Sequence, residues 1–235
     1  FFALIGVAVI GSSIWFGLTN IDLFKFQKMQ ISGNKVIPDT LFYKITSPYI
    51  GMNLFTVPSS EIKAKLNTLS RVKNVKLHKR LPDTIKLDIT ERKAAIYLKT
   101  IEGDLYPVDS EGVVLIIYTP VYKEDIPIYS TYLSNNQIKP GIKLKYSGLQ
   151  KVLQLHQRVV KEAPDFLPQI SEYYLIDNTI NIIDAKTGTR IIPSEEDFAT
   201  QISRYRFVQE NGNINRNSVV DLRFKNQVVV KAGNK

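Results

Sequence analysis

The sequence predicts an α+β chain in three parts. These are a single transmembrane helix over residues 1–21, a small βααββ domain over 22–92, and a mixed, β-rich domain with two helices over 93–231. A disordered tail is expected at 232–235. Three observations carry this reading. Phe1 to Ile21 contains no charged residue. The following stretch alternates between strand-like and helix-like periodicity in the order strand, helix, helix, strand, strand. The basic charge is unevenly placed. The chain holds 31 Lys and Arg against 22 Asp and Glu, a net +9, and over residues 22–92 the cations outnumber the acids by about two to one.

About 21 helical residues at ~1.5 Å each reach ~31 Å, enough for a hydrocarbon core. Trp15 and Phe16 sit towards the downstream end of this run, where aromatic rings suit the lipid–water boundary. A cleaved signal peptide, with Gly11 and Ser13 as a small-x-small site, is the alternative. Its apolar part spans roughly 7–15 residues, shorter than this one. The chain opens on Phe1 instead of Met, which reads as a piece of a longer protein.

In the first domain, Phe26 to Ile31 alternates apolar and polar residues, predicting a strand turned by Ser32-Gly33-Asn34. Pro38 and Asp39 open a short helix with Leu41 and Ile45 on one face. Pro58-Ser59-Ser60-Glu61 opens a second, with a serine cap and an acid in its first turn. Its stripe is Ile62, Leu66 and Leu69. Val75 and Leu77 then point inward while Lys76, His78 and Arg80 face out. After a Pro82-Asp83 turn, Ile85, Leu87 and Ile89 repeat the pattern.

The linker is short, around Glu91 to Lys93. Beyond it, Ala95–Leu98, Leu105–Val108 and Val113–Ile117 are predicted strands, and Ile126 to Gly141 is a looser stretch. A helix over Tyr146–Glu162 gathers Leu149, Val152, Leu153, Leu155, Val159 and Val160 on one arc. Glu172–Leu175, Ile180–Asp184 and Thr189–Ile192 form hairpins turned at Asp177-Asn178 and Thr187-Gly188. Ser194 with Asp197 predicts a capping box, and the acids Glu195, Glu196 and Asp197 form the first turn of the helix that carries Phe198, Ile202 and Tyr205. Val220, Leu222 and Phe224 alternate with Asp221, Arg223 and Lys225. Val228–Val230 forms a last strand with no sequence after it to pair its outer edge.

The residue inventory argues against an enzyme. The chain has no cysteine and two histidines. His78 lies on a polar strand face and His156 within an apolar helical arc, where a hydrogen-bonded core histidine is expected. No second histidine stands at metal spacing, and no phosphate-binding glycine loop or nucleophile elbow is present. Asp109 and Glu111 share a turn, which suits a hairpin better than a glycosidase pair. No cofactor, metal or catalytic residue is therefore expected. Nucleic acid is the usual partner of a basic chain, but here the charge lies beside a membrane span with few aromatics among the lysines. Lys25, Lys28, Lys73, Lys76, Lys79 and Arg80 are instead candidates for contact with an anionic membrane surface or an acidic partner.

The local motifs resemble the FtsQ/DivIB family of bacterial cell-division proteins. They are Ile31-Ser32-Gly33-Asn34, Gly51-Met52-Asn53-Leu54-Phe55, Val72-Lys73-Asn74-Val75, Arg80-Leu81-Pro82-Asp83-Thr84-Ile85 and Glu91-Arg92-Lys93, then Val108-Asp109-Ser110-Glu111-Gly112 and Asp221-Leu222-Arg223-Phe224. Their order extends over about 200 residues. The family usually has proline after the Glu-Arg-Lys stretch; Ala94 stands here, so the strand entering the second domain is free to pair differently. Residues 119–145 match nothing in the family pattern.

The resemblance implies a POTRA domain over 22–92 and a non-enzymatic divisome scaffold linking early and late division proteins to septal wall synthesis. It implies a single-pass protein of the inner membrane, at the septum, with its folded domains outside the cytoplasm. Other divisome members would meet the small domain along Val75–Arg80. The FtsB segment of an FtsB/FtsL pair would add as a strand at the last edge. Val219, Asp221, Arg223, Phe224, Val228, Val229 and Val230 are then the partner-binding candidates, and Val229→Pro is expected to abolish capture without unfolding the domain. The alternatives are a POTRA-bearing outer-membrane assembly or secretion factor and, further off, a membrane-anchored cell-wall hydrolase.

Overall fold

The computed structural model describes residues 2–118, 124–195, 197–212, 214, 217–225 and 227–232. Contacts divide the chain into two compact units, Phe1–Arg92 and Lys93–Lys235. Phe1, Glu196 and most of the expected tail, Gly233 to Lys235, lie outside the described residues, as does 119–123 of the unmatched middle.

The first unit begins with helix α1 (Phe2–Asn20). Among the described residues no helix is long and apolar enough to cross a membrane. At ~1.5 Å per residue α1 covers about 28 Å, and it ends on the polar pair Thr19 and Asn20. Asn53 Nδ2 donates to the Leu18 carbonyl at 2.9 Å, and the rings of Trp15 and Phe55 meet edge-on at 6.2 Å.

Strand β1 (Lys28–Ser32), helices α2 (Asp39–Thr46) and α3 (Ser59–Asn67), and strands β2 (Val72–Arg80) and β3 (Thr84–Glu91) follow. They reproduce the strand, helix, helix, strand, strand order. The sheet order is β1-β3-β2, with β1 parallel and β2 antiparallel to the central β3. Phe26, Phe42, Ile62, Leu66, Ile85 and Leu87 are all essentially inaccessible and form the core. Gly33 turns the chain out of β1 at φ +87°, and a Cβ there would collide with the Ile89 carbonyl oxygen. Glu91 holds the next loop: its carboxylate accepts from the backbone N–H groups of Lys35, Val36 and Ile37 at 2.9–3.1 Å.

The serine cap expected for α3 is absent. Pro58 occupies the N-cap position and Ser59 is already helical. The helix starts one residue too early for that hydroxyl to reach the free N–H groups.

The second unit contains an eight-stranded sheet. Its strands are β4 (Ala94–Lys99), β5 (Leu105–Asp109), β6 (Ile128–Ser130), β7 (Ile170–Ile176), β8 (Thr179–Asp184), β9 (Arg190–Ile192), β10 (Val219–Asp221) and β11 (Val229–Lys231). They run in the order β11-β10-β9-β8-β7-β6-β4-β5. Helices α4 (Ser147–Glu162) and α5 (Phe198–Asn211) cover one face. There Leu149, Val152, Val159, Phe198, Ile202 and Tyr205 join Leu98, Tyr173, Ile182 and Val220 in one core. Asp177 and Asn178 take φ +47° and +65°, the left-handed pair that a two-residue hairpin requires.

Four local expectations fail here. Val113–Ile117 makes only isolated bridges, Val114 to Val108 and Val113 to Lys143, because the chain turns away after two residues. The loose stretch after Ile126 instead supplies β6 at Ile128–Ser130, which lies parallel between β4 and β7; three residues are too few to show a period. The Ser194–Asp197 capping box is replaced by Asp197 alone, whose Oδ2 accepts from the Thr200 N–H at 2.9 Å. The Ser194 N–H goes to Gln201 Oε1 at 2.7 Å.

The alternation through Phe224 stops at Asp221, where β10 ends. Asp221 Oδ1 accepts from the Arg223 N–H at 3.1 Å, a side-chain turn that competes with the ladder. At the family's missing proline, Ala94 pairs with Asp109 and an irregularity follows before Ile96.

A candidate strand-docking edge

The final ribbon can be built one hydrogen bond at a time. The Arg190 N–H donates to the Ser218 carbonyl and the Leu222 N–H to the Ile192 carbonyl, both at 2.9 Å. In a parallel pair, alternate residues face the same neighbour. Ser218, Val220 and Leu222 therefore turn their backbone groups towards β9. Val219 and Asp221 turn theirs the other way, towards their partners Lys231 and Val229 in β11. Val229 and Lys231 are thereby committed inward, and the N–H and C=O of Val230 face the open side. Among the described residues β11 is a terminal strand of the sheet and pairs with β10 alone.

The side chains around this edge divide by role. Val228 packs against the unit's core, Val229 is half-buried and Val230 is exposed. Asp221 is buried and holds Arg223 in a two-pronged contact, Oδ1 to Nε at 2.9 Å and Oδ2 to Nη2 at 2.6 Å. That hydrogen-bonded guanidinium keeps the Asp221 carboxyl below the usual range, with burial opposing. Phe224 is 49% exposed, and its carbonyl accepts from Arg204 Nη1 at 3.2 Å. Val219 is half-buried in β10.

Of the predicted residues, Val229 and Val230 lie on the edge strand β11, Val219 and Asp221 on its inner neighbour β10, and Arg223, Phe224 and Val228 in the segment between them; Val230, not Val229, carries the outward donor. Sequence periodicity places side chains on faces, but the direction of a backbone N–H depends on which neighbour the strand pairs with. Also unforeseen is a groove of about 1010 Å³ beside Arg223, lined by Lys151, Arg158, Asn178 and Glu195. Its residues lie on α4, the β7–β8 turn and the segment before α5, so no local motif announces it.

The basic residues of the first unit are less free than their charge implies. Lys25 pairs with Asp22 at 2.7 Å and Lys28 with Asp83 at 2.8 Å. Lys79 Nζ donates to the Val57 carbonyl at 2.9 Å, and burial lowers its pKa. Lys73, Lys76 and Arg80 are exposed on β2, an outer strand of the small sheet.

The histidines stand as solvated and core groups. His78 Nε2 lies 3.6 Å from Asp88 Oδ2 on the exposed face. His156 is buried, with Nδ1 3.2 Å from the Tyr173 hydroxyl, and burial brings its pKa down to about 4. Among the described residues no group of three or more His, Cys, Asp or Glu could hold a metal ion.

Residues 24–92 match the POTRA domain of FtsQ type. Across the chain, the cell division protein FtsQ of Corynebacterium glutamicum is 27% identical over 162 residues, covering 68% of this chain and 70% of that protein. FtsQ of Koribacter versatilis is 21% identical over 243 residues, covering 96% and 67%. The cell division protein DivIB of Clostridium acetobutylicum is 24% identical over 140 residues, covering 59% and 56%.

Proposed function

Because this chain belongs to the FtsQ/DivIB family of cell-division proteins, we propose that it is a non-enzymatic divisome scaffold whose last strand captures a membrane division partner by strand addition. The observation that carries this reading is that the outer side of β11 has no strand partner among the described residues. An unpaired edge supplies backbone donors and acceptors to an incoming strand. Each hydrogen bond contributes only ~0.5–1.5 kcal/mol net, so several must add up. Exposed Phe224, in the segment between β10 and β11, is the candidate for a specific side-chain contact with such a strand.

The partner expected from the family resemblance is an FtsB/FtsL-type pair. By the family resemblance the uncharged run that opens the chain would supply a single membrane anchor at the septum, although α1 is not by itself long and apolar enough to cross a membrane; confinement to a surface raises the effective concentration of weak contacts. Lys76 and Arg80 remain candidates for contact with anionic lipid or an acidic division protein along β2. The family match of the first unit favours this reading over an outer-membrane assembly factor or a wall hydrolase.

The test is co-purification of the full chain with its FtsB/FtsL-type partners from membranes. Val230→Pro removes the outward donor and is expected to abolish capture, with circular dichroism and melting unchanged. Val229→Pro breaks the internal ladder and is expected to lower both. Undiminished capture by a folded Val230→Pro chain overturns edge addition.

A further inference from the structure

We propose that the open face of the eight-stranded sheet is a self-complementary docking surface for a second copy of this chain. The helices α4 and α5 pack on one face of that sheet. On the opposite face the ladder registers align one row across six strands: Ile128, Glu172, Ile183, Arg190, Val219 and Lys231. The first five are half-buried. Two shallow depressions, about 390 and 430 Å³, share Tyr174 and Ile183 in their linings; one contains Glu172, the other Arg190.

Two charges in this row, Glu172 and Arg190, have no ion-pair partner among the described residues, whereas Lys231 already acts on Asp221. Glu172 is held by the Ser130 hydroxyl only, and Arg190 Nε has no acceptor. Each lies one strand from Ile183, on opposite sides, with a strand spacing of ~4.8 Å. The row therefore reads acid, apolar, base. A two-fold axis lying in the interface, parallel to β8 and passing over Ile183, exchanges the two sides. It sets Glu172 against the partner's Arg190, Arg190 against the partner's Glu172, and Ile183 against itself. An axis along the row would instead oppose like charges.

An acidic peptide or a nucleic acid would meet Arg190 and Lys231 but be repelled by Glu172, so the charge order favours a second copy. The area is small. Six strands at ~4.8 Å, each contributing about four residues at ~3.3 Å, cover roughly 400 Å² per copy, well below the ~800 Å² of a standard interface. Association is accordingly weak in dilute solution and gains from confinement on a surface.

The full chain in detergent micelles gives the test by sedimentation equilibrium. Wild type is expected to dimerise, and Glu172→Arg or Arg190→Glu alone to weaken dimerisation at least ~tenfold by facing like charges. Mixing the two reversed chains restores a heterodimer, and combining both reversals in one chain restores a homodimer. Because the chain has no cysteine, Ile183→Cys also gives a single-site probe. A bis-maleimide spanning ~10 Å, the separation of stacked sheets, is expected to join two copies.

A wild type that stays monomeric up to about 1 mM overturns the proposal, and so do reversals without effect or a mixture that fails to recover. If a reversal impairs folding, Glu172→Gln and Arg190→Gln read the same contact; unchanged dimerisation in both counts against it. None of these changes touches the outer side of β11. Loss of dimers with partner capture retained therefore separates this surface from the strand-docking edge.

Discussion

The two sheets end in strands that answer the edge problem in opposite ways. β2, at the edge of the small sheet, is nine residues long and carries Lys73, Lys76, His78, Lys79 and Arg80, with an irregularity between Val72 and Asn74. Length, charge and a bulge are the means by which a sheet both displays and guards an edge against uncontrolled pairing. β11 is three residues long and two of them are valine. Brevity is its main guard, and a partner strand need only be long enough to overcome it. On the proposed reading, an edge open to capture is short and lightly charged, whereas a long edge is charged to stay single.

The largest test of this contrast removes the first sheet altogether. Gly33→Ala forces a side chain into the Ile89 carbonyl at a positive φ. It is expected to destabilise the first unit by several kcal/mol, roughly the cost of a buried clash plus a left-handed residue. Thermal melting should then lose the first unit's transition while capture at β11 persists. Capture lost together with that transition would move the docking site to the first unit.

Titration of His156 gives a second test, confined to the second unit. Buried His156 has a folded pKa near 4 against 6.5 unfolded. The unfolded chain therefore binds the extra proton between those values. Stability of the second unit falls as pH drops from 6.5 to 4, by at most about 3 kcal/mol at 1.36 kcal/mol per unit. His156→Gln should abolish the slope whatever its effect on absolute stability; a slope that remains would point to another group.

Next in size, Lys76→Val with His78→Val strips charge from β2. It is expected to leave the fold intact, at a cost within ~0.5 kcal/mol, yet promote self-association of the chain detectable by light scattering. A monodisperse variant would show that the irregularity alone guards the edge.

An effect of similar size is expected for Arg223→Ala. The guanidinium is about half exposed against a buried Asp221, so its loss should cost no more than ~1 kcal/mol of stability. Partner capture, measured by titration, should fall further than stability does.

The order of elements in the first unit was legible because each has its own period: alternation in β2 and β3, and the Ile62–Leu66 spacing in α3. The β7–β8 hairpin was legible from Asp177-Asn178, whose short polar side chains tolerate the left-handed region. Other features were not. β6 is three residues long and exists because β4 and β7 leave a gap of one strand between them. The α5 cap fell to Asp197 because the helix began one turn later than the Ser194 pattern implied. Phe224 left the alternation because Asp221 bonded its own neighbour's N–H.

By itself the sequence determined the composition of each face: an uncharged opening helix, a basic β2, and a valine-rich final strand. Side-chain pattern is local, and these assignments need no partner. Only the tertiary structure decided which strands neighbour one another, and therefore that Val230 points its backbone outward and that Glu172, Ile183 and Arg190 stand in one row. Strand pairing joins residues far apart in the chain, and the direction of each backbone hydrogen bond follows from that pairing, not from the residue that carries it.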